Sequence, residues 1–152
     1  EVVSLESKNI FMHNNTMLVQ GKGEKERLVP FGEETKRYIN RYSHMRNEYE
    51  KRFFQKEDGT PITDNTIKMY FQDLKESTGI IRLHPHLLRH TFATNYILYG
   101  GDVEELRILL GHTSLQMTMK YVHLATQQRI LNQRYHSHID KLFCQYDNKL
   151  AQ

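Results

Sequence analysis

"HPHLLRHTFAT", residues 84–94, and "LLGHTSLQMTMKYVH", residues 109–123, bring an arginine, several histidines and a tyrosine into two short stretches. The first decides the fold around it. Pro85 suits the first turn of a helix, where its missing N–H costs nothing. Leu88, Phe92, Tyr96 and Tyr99 follow at helical spacing, and Gly100-Gly101 ends the run. Asp102 with Glu105 has the spacing of a capping box for a short helix that stops at Gly111. Thr113 with Gln116 repeats that spacing before a helix leading to Tyr121. A last helix is expected at about 125–145, with Ile130, Leu131, Ile139, Leu142 and Phe143 as its apolar stripe.

Upstream of these stretches the periods change. "TMLVQ" (16–20) and "RLVPF" (27–31) are short apolar runs around the turn "GKGEKE" (21–26), and "HNN" (13–15) makes an earlier turn. They predict a three-stranded antiparallel meander. From Gly32 the pattern is helical, with Tyr38, Tyr42, Met45 and Tyr49 on one face. "KEDGTP" (56–61) is a turn. Thr63 caps a helix reaching about Thr78, with Gly79 as its stop and Ile67, Tyr70, Phe71 and Leu74 as its apolar face. The opening "EVVSLESKNI" reads as the end of a helix, so the chain is expected to begin inside a larger protein. The fold class is α+β, mostly α-helical, with one small sheet.

Composition bounds the function. A chain of 152 residues suits one domain and buries about 68–70% of its unfolded surface without staples. A single cysteine, Cys144, excludes an internal disulfide and fits a reducing cytosol. No apolar run of about 18 residues suggests a membrane span, and no secretory leader opens the chain. The net charge of +3 permits an anionic partner such as nucleic acid without demanding one.

The chemistry starts with His86, Arg89 and His90, which share one side of a helix near its N-terminus. That end favours anions. Arg89 adds a planar, permanently charged fork for two phosphate oxygens, and His86 a proton carrier near neutral pH. The seven residues "HPHLLRH" (84–90) alone suit surface or capping residues better than a site. Zinc is disfavoured, since structural zinc takes four ligands including cysteine and no HExxH occurs. His112 follows the helix-ending Gly111, at a turn where a side chain projects into a cleft. Tyr121 is a usable nucleophile toward phosphorus when cations stabilise its phenolate, yet with nine tyrosines in the chain a tyrosine by itself says nothing.

Taken together, "HPHLLRHTFAT", "LLGHTSLQMTMKYVH" and "GKGEKERLVPFG" (21–32) resemble the motifs of the tyrosine recombinase (phage-integrase) family, in its order and at about its spacings, over residues 1 to about 125. The resemblance implies that residues 1–152 form a catalytic domain. It implies Tyr121 as nucleophile, Arg89 as the second catalytic arginine, His86 as the first residue of the H-x-x-R pair, His112 as the L-G-H histidine and Lys22 as the lysine on a strand turn. His90 is expected to support the helix. Lys25 and Arg27 are candidate DNA contacts, although Glu24 and Glu26 alternate with them. The family's first arginine lies in a motif resembling T-G-L-R-x-S-E and is expected three residues before Glu1. A chain without it, and without the family's N-terminal DNA-binding domain, should be inactive or badly impaired.

The implied activity is cutting and rejoining of double-stranded DNA at a specific site through a 3′-phosphotyrosine, with no metal, ATP or other cofactor. It serves integration, excision or resolution, on cytoplasmic DNA. The implied partners are further protomers, four in the full synapse, joined by the C-terminal helix; truncation after Ala125 tests that exchange. A type IB topoisomerase, a DNA-binding relative that has lost catalysis and a histidine-based metallohydrolase are the alternatives. The "LLRH" and "LLGH" forms favour a recombinase over a topoisomerase, and no ligand set with good spacing supports the metallohydrolase.

Overall fold

The structure is a computed structural model that describes residues 1–21, 23 and 25–133. The chain divides into two compact units, Glu1–Leu87 and Leu88 onward. Each has its own apolar core.

The first unit contains the meander, with β1 (Ile10–Phe11), β2 (Thr16–Gln20) and β3 (Glu26–Pro30) in that order and antiparallel. Met17 pairs with Ile10 on one side and Val29 on the other, and Leu18 faces Leu28. Along β3 the exposed residues Glu26, Leu28 and Pro30 alternate with Arg27 and Val29, the two-residue period of a half-buried strand. Asn15 takes a left-handed φ of 54° in the β1–β2 turn, which asparagine tolerates better than most residues. Leu5, Val19, Ile39 and Phe53 form the core beneath the sheet, and Tyr42 and Phe54 pack against it. The Phe53 and Phe54 rings meet edge to face with centroids 5.0 Å apart.

Two expectations fail here. "EVVSLESKNI" is not a helix end: it forms two 3-10 turns, Val2–Ser4 and Ser7–Asn9. Leu5 between them is extended and buried, and its carbonyl accepts from the Phe53 N–H at 2.7 Å, so pairing with a distant segment overrides local helicity. Helix α1 (Glu33–Ser43) stops before Met45 and Tyr49. Its buried residue is Ile39, while Tyr38, Met45 and Tyr49 are exposed. Tyr42 alone of the proposed stripe packs inward, accepting from the Gln55 N–H at 2.8 Å. Helix α2 (Asp64–Thr78) keeps both of its signals: the Thr63 hydroxyl accepts from the Thr66 N–H, and Gly79 caps the far end at φ 70°. Its apolar face is only half-buried, and Tyr70 is exposed.

Helix α3 (Pro85–Leu98) starts in the first unit and continues through the second, where α4 (Val103–Leu110) and α5 (Gln116–Gln133) follow. Ala93, Ile97, Leu106, Leu110, Tyr121 and Ala125 form the second core. The α3 stripe is therefore rotated from expectation: Ala93, Thr94 and Ile97 are buried, while Leu88, Phe92 and Tyr99 are exposed. An apolar-size pattern does not register small residues such as Ala93 and Thr94.

Asp102 caps α4 by accepting from the Glu104 and Glu105 N–H groups. The reciprocal half of the box is absent because the Glu105 carboxylate accepts the Tyr96 hydroxyl at 2.7 Å. The Tyr96 ring lies so close to Gly101 that a Cβ there would sit 2.2 Å from Cε1, so only glycine fits. Thr113 does not cap α5, whose first residue is Gln116; its hydroxyl donates to Met117 Sδ at 3.6 Å.

The separate last helix expected from about 125 begins inside α5, since no glycine or proline interrupts the chain after Tyr121. Ile130 and Leu131 are exposed on it. Ile139, Leu142 and Phe143 lie outside the described residues, as does Lys22. Arg129 of α5 donates to the carbonyls of Ile97 (2.5 Å) and Leu98 (2.8 Å) at the end of α3, where orphan acceptors and the helix dipole favour a cation. A truncation after Ala125 would sever this bond and cut through a helix; Gln133 is the better cut.

Candidate active site around Tyr121

The second unit positions its polar side chains by helix ends. Gly111 closes α4 in the left-handed conformation, φ 67°, and its N–H returns to the Arg107 and Ile108 carbonyls. The chain reverses there, and the next residue is His112. Its backbone is held on both sides: its N–H donates to the Arg107 carbonyl at 3.0 Å, and its own carbonyl accepts from Arg107 Nη1 at 2.9 Å. Arg107 is in turn gripped by Glu104, at 2.6 Å. That hydrogen bond, with the attraction of the charge, holds the Glu104 carboxyl below its ordinary range and raises the guanidinium above its own.

The His112 ring is buried and its Nδ1 lies 2.8 Å from the Thr118 hydroxyl, itself fully buried. Thr118 sits in the first turn of α5, and Tyr121 lies one turn further on the same face. The Tyr121 ring is nearly parallel to that of His112, 9° apart with centroids at 6.3 Å. Tyr121 is 1% exposed, and its hydroxyl meets Nδ1 of His90 at 2.8 Å. Lys120 Nζ stands 4.9 Å from the centre of the Tyr121 ring, within cation–π range. Arg89, one residue before His90 on α3, donates from Nη2 to the Leu110 carbonyl at the end of α4. Arg89, His90, His112, Thr118 and Tyr121 thus gather where the end of α4, the middle of α3 and the start of α5 meet.

This cluster can stabilise negative charge and move a proton. It offers a fixed cation, Arg89, two imidazoles and a phenol beside a second cation, Lys120. Among the described residues no group of three or more histidine, cysteine, aspartate or glutamate side chains is placed to hold a metal.

Of the residues named from the sequence, Arg89, His112 and Tyr121 lie in this cluster. His86 falls in the first unit, exposed in the first turn of α3, with its ring 6.4 Å from that of His84. Lys25 is exposed and its carbonyl accepts from Gly21 N–H across the hairpin. Arg27 pairs through both terminal nitrogens with Glu1, at 2.8 and 3.0 Å. His90, expected to support its helix, instead touches the tyrosine hydroxyl. Thr118 went unnoticed, although its place three residues before Tyr121 puts both on one helical face.

A model of the phage integrase family matches residues 1–128, and the chain belongs to that family, the tyrosine recombinases. It is 35% identical to tyrosine recombinase XerC of Staphylococcus haemolyticus over 133 residues, covering 84% of this chain and 45% of the relative. To XerC of Bacillus pumilus it is 32% identical over 153 residues, covering 94% and 50%. The chain thus spans about half the length of the curated relatives it matches. The crystal structure of XerA recombinase superposes with a TM-score of 0.75 at 29% identity, over 88% of this chain and 52% of that one. XerH recombinase, bound to a palindromic difH substrate, shares the fold with a TM-score of 0.69 at 22% identity, over 89% of this chain and 40% of that one.

Proposed function

We propose that this chain carries the chemistry of a site-specific DNA recombinase, in which Tyr121 cuts one strand and holds it as a 3′-phosphotyrosine. The Tyr121 oxygen attacks the scissile phosphorus in line with the 5′-oxygen; the Tyr–O–P bond forms as the P–O5′ bond breaks. The tyrosine proton passes to His90 Nδ1, the base within reach at 2.8 Å when that nitrogen is unprotonated. Negative charge gathers on the equatorial oxygens. Half-buried Arg89 and buried His112 meet it as fixed donors, which act most strongly where bound DNA excludes water. Attack by a second 5′-hydroxyl reverses the steps and releases the tyrosine, so the exchange is nearly energy-neutral and needs no cofactor.

Since Tyr121 is 1% exposed, in-line attack requires its oxygen, once the proton is on His90, to turn from the imidazole toward the DNA. Lys22 as the acid for the 5′-oxygen and His86 as a phosphate or proton aid rest on the family resemblance. So do Lys25 and Arg27 as DNA contacts and the assembly of four protomers. The observation that carries the reading is the tyrosine hydroxyl on an imidazole, with a second imidazole against its ring and Arg89 on the adjoining turn.

The test uses the full-length protein and a nicked suicide DNA carrying its site, from which the cut fragment diffuses away. A covalent protein–DNA band is expected, absent in Tyr121→Phe. A band that survives in Tyr121→Phe assigns the nucleophile elsewhere.

A further inference from the structure

We propose that Thr118 is a positioning residue: its hydroxyl donates to His112 Nδ1 and so fixes the proton of the neutral imidazole on Nε2. The geometry alone allows either direction across the 2.8 Å contact. Burial decides it. Thr118 is fully buried, and His112 Nδ1 is the hydrogen-bond partner its hydroxyl has among the described residues. Were Nδ1 protonated, the hydroxyl proton would face no acceptor, and an orphaned buried donor is costlier than an unfilled lone pair. The helix offers no easy escape, because Thr118 lies in the first turn, and the Leu115 carbonyl three residues back already accepts from the Thr118 and Met119 N–H groups.

Two consequences follow. The imidazole presents an N–H donor at its Nε2 edge, the form suited to a developing phosphoryl oxyanion. The same hydrogen bond ties the His112 turn to the helix that bears Tyr121, so histidine and nucleophile move together. The catalytic consequence rests on the function proposed above; the tautomer does not.

The test labels the histidines of the full chain with 15N and records long-range 1H–15N correlations above the imidazole titration, with the His112 signals assigned by their loss in His112→Gln. Wild type and Thr118→Ser should both show a protonated Nε2 and a hydrogen-bonded, unprotonated Nδ1. Thr118→Val should shift the Nδ1 signal toward an unbonded nitrogen or mix the tautomers. A protonated Nδ1 in wild type, or an Nδ1 signal unmoved in Thr118→Val, overturns the proposal. If Thr118→Val does not fold, the wild-type spectrum still decides.

In single-turnover cleavage Thr118→Val should be slower by about tenfold to a hundredfold, the usual effect of removing a group that orients a functional one, with rescue by Thr118→Ser. Wild-type cleavage by Thr118→Val overturns the catalytic role. Persistence of the covalent band in Tyr121→Phe sinks the reading of Tyr121 instead, and leaves the spectra to judge Thr118.

Discussion

The bond between Tyr121 and His90 is measurable without DNA. Tyr121→Phe keeps the ring, and with it the contacts to His112 and to the core of Ala93, Ile97, Leu106, Leu110 and Ala125, so the apolar terms nearly cancel. What is lost is one hydroxyl–imidazole bond of 2.8 Å. A hydroxyl in water would cost little to remove, but this residue is 1% exposed. Deleting one partner of such a bond leaves the other unsatisfied, at about 1–3 kcal/mol. His90 is only half-buried and regains some water, which places Tyr121→Phe at about 1–2 kcal/mol. His90→Phe should cost a similar amount, because it strands the tyrosine hydroxyl in the core. The double variant strands neither group, since removing both partners of a bond is nearly neutral. Its cost should therefore fall short of the sum by about 1 kcal/mol or more, well inside the range seen for contacting pairs. Urea unfolding of the four proteins, with equal m-values, measures the cycle. Additivity to within about 0.5 kcal/mol, the behaviour of independent sites, would refute the argument that the Tyr121 hydroxyl is held by His90.

Other perturbations have signs that follow from the same geometry. Arg129→Met keeps most of the side chain's length but removes two bonds to the end of α3; because residue 129 is exposed, the loss should be about 1–2 kcal/mol in urea unfolding. Gly101→Ala forces the Tyr96 ring off its bond to Glu105 and should cost more than the ~1 kcal/mol of a lost hydrogen bond, with Tyr96→Phe in the same chain recovering little because the ring itself is in the way. The hydrogen bond to Glu105 raises the Tyr96 phenol above its ordinary value. The native state therefore holds that proton more tightly, and the added stability is present below the ordinary tyrosine pKa of about 10 and fades as pH rises through the folded value. Tyr96→Phe should flatten the alkaline limb of a stability–pH curve. Glu104 behaves oppositely: the Arg107 hydrogen bond lowers its carboxyl, so its contribution is present above the ordinary glutamate value and disappears as pH falls through the folded one. Glu104→Gln should make the acid limb shallower; an unchanged limb would show that this exposed pair adds nothing.

Local chemistry was legible in the sequence wherever one residue type does one job. Thr63, Gly79, Asp102 and Gly111 mark helix ends as expected, and the turns around 13–15 and 21–26 deliver the three strands in register. What escaped is the facing of helices. The aromatic stripe of α3 suggested the wrong side because large residues were weighted over small ones, whereas the chain buries Ala93 and Thr94; in α1 the buried residue is Ile39, outside the tyrosine stripe. Arg89, His112 and Tyr121 were named from their motifs. Thr118 and the true neighbour of the tyrosine hydroxyl were not, since both depend on which helical faces meet, and that is decided by residues far apart in the chain.

Helix α5 runs unbroken for 18 residues, from Gln116 to Gln133, with Thr118 near its start and Arg129 eight residues beyond Tyr121. At about 1.5 Å per residue those eight residues span roughly 12 Å. The phenol is thus mounted on a stiff rod bolted near both ends, to the imidazole below and to the last carbonyls of α3 above. A side-chain rotation costs one bond, whereas swinging the whole rod must undo both bolts at once. A force applied beyond Arg129 meets that anchor first and moves the tyrosine only once the bonds to Ile97 and Leu98 give.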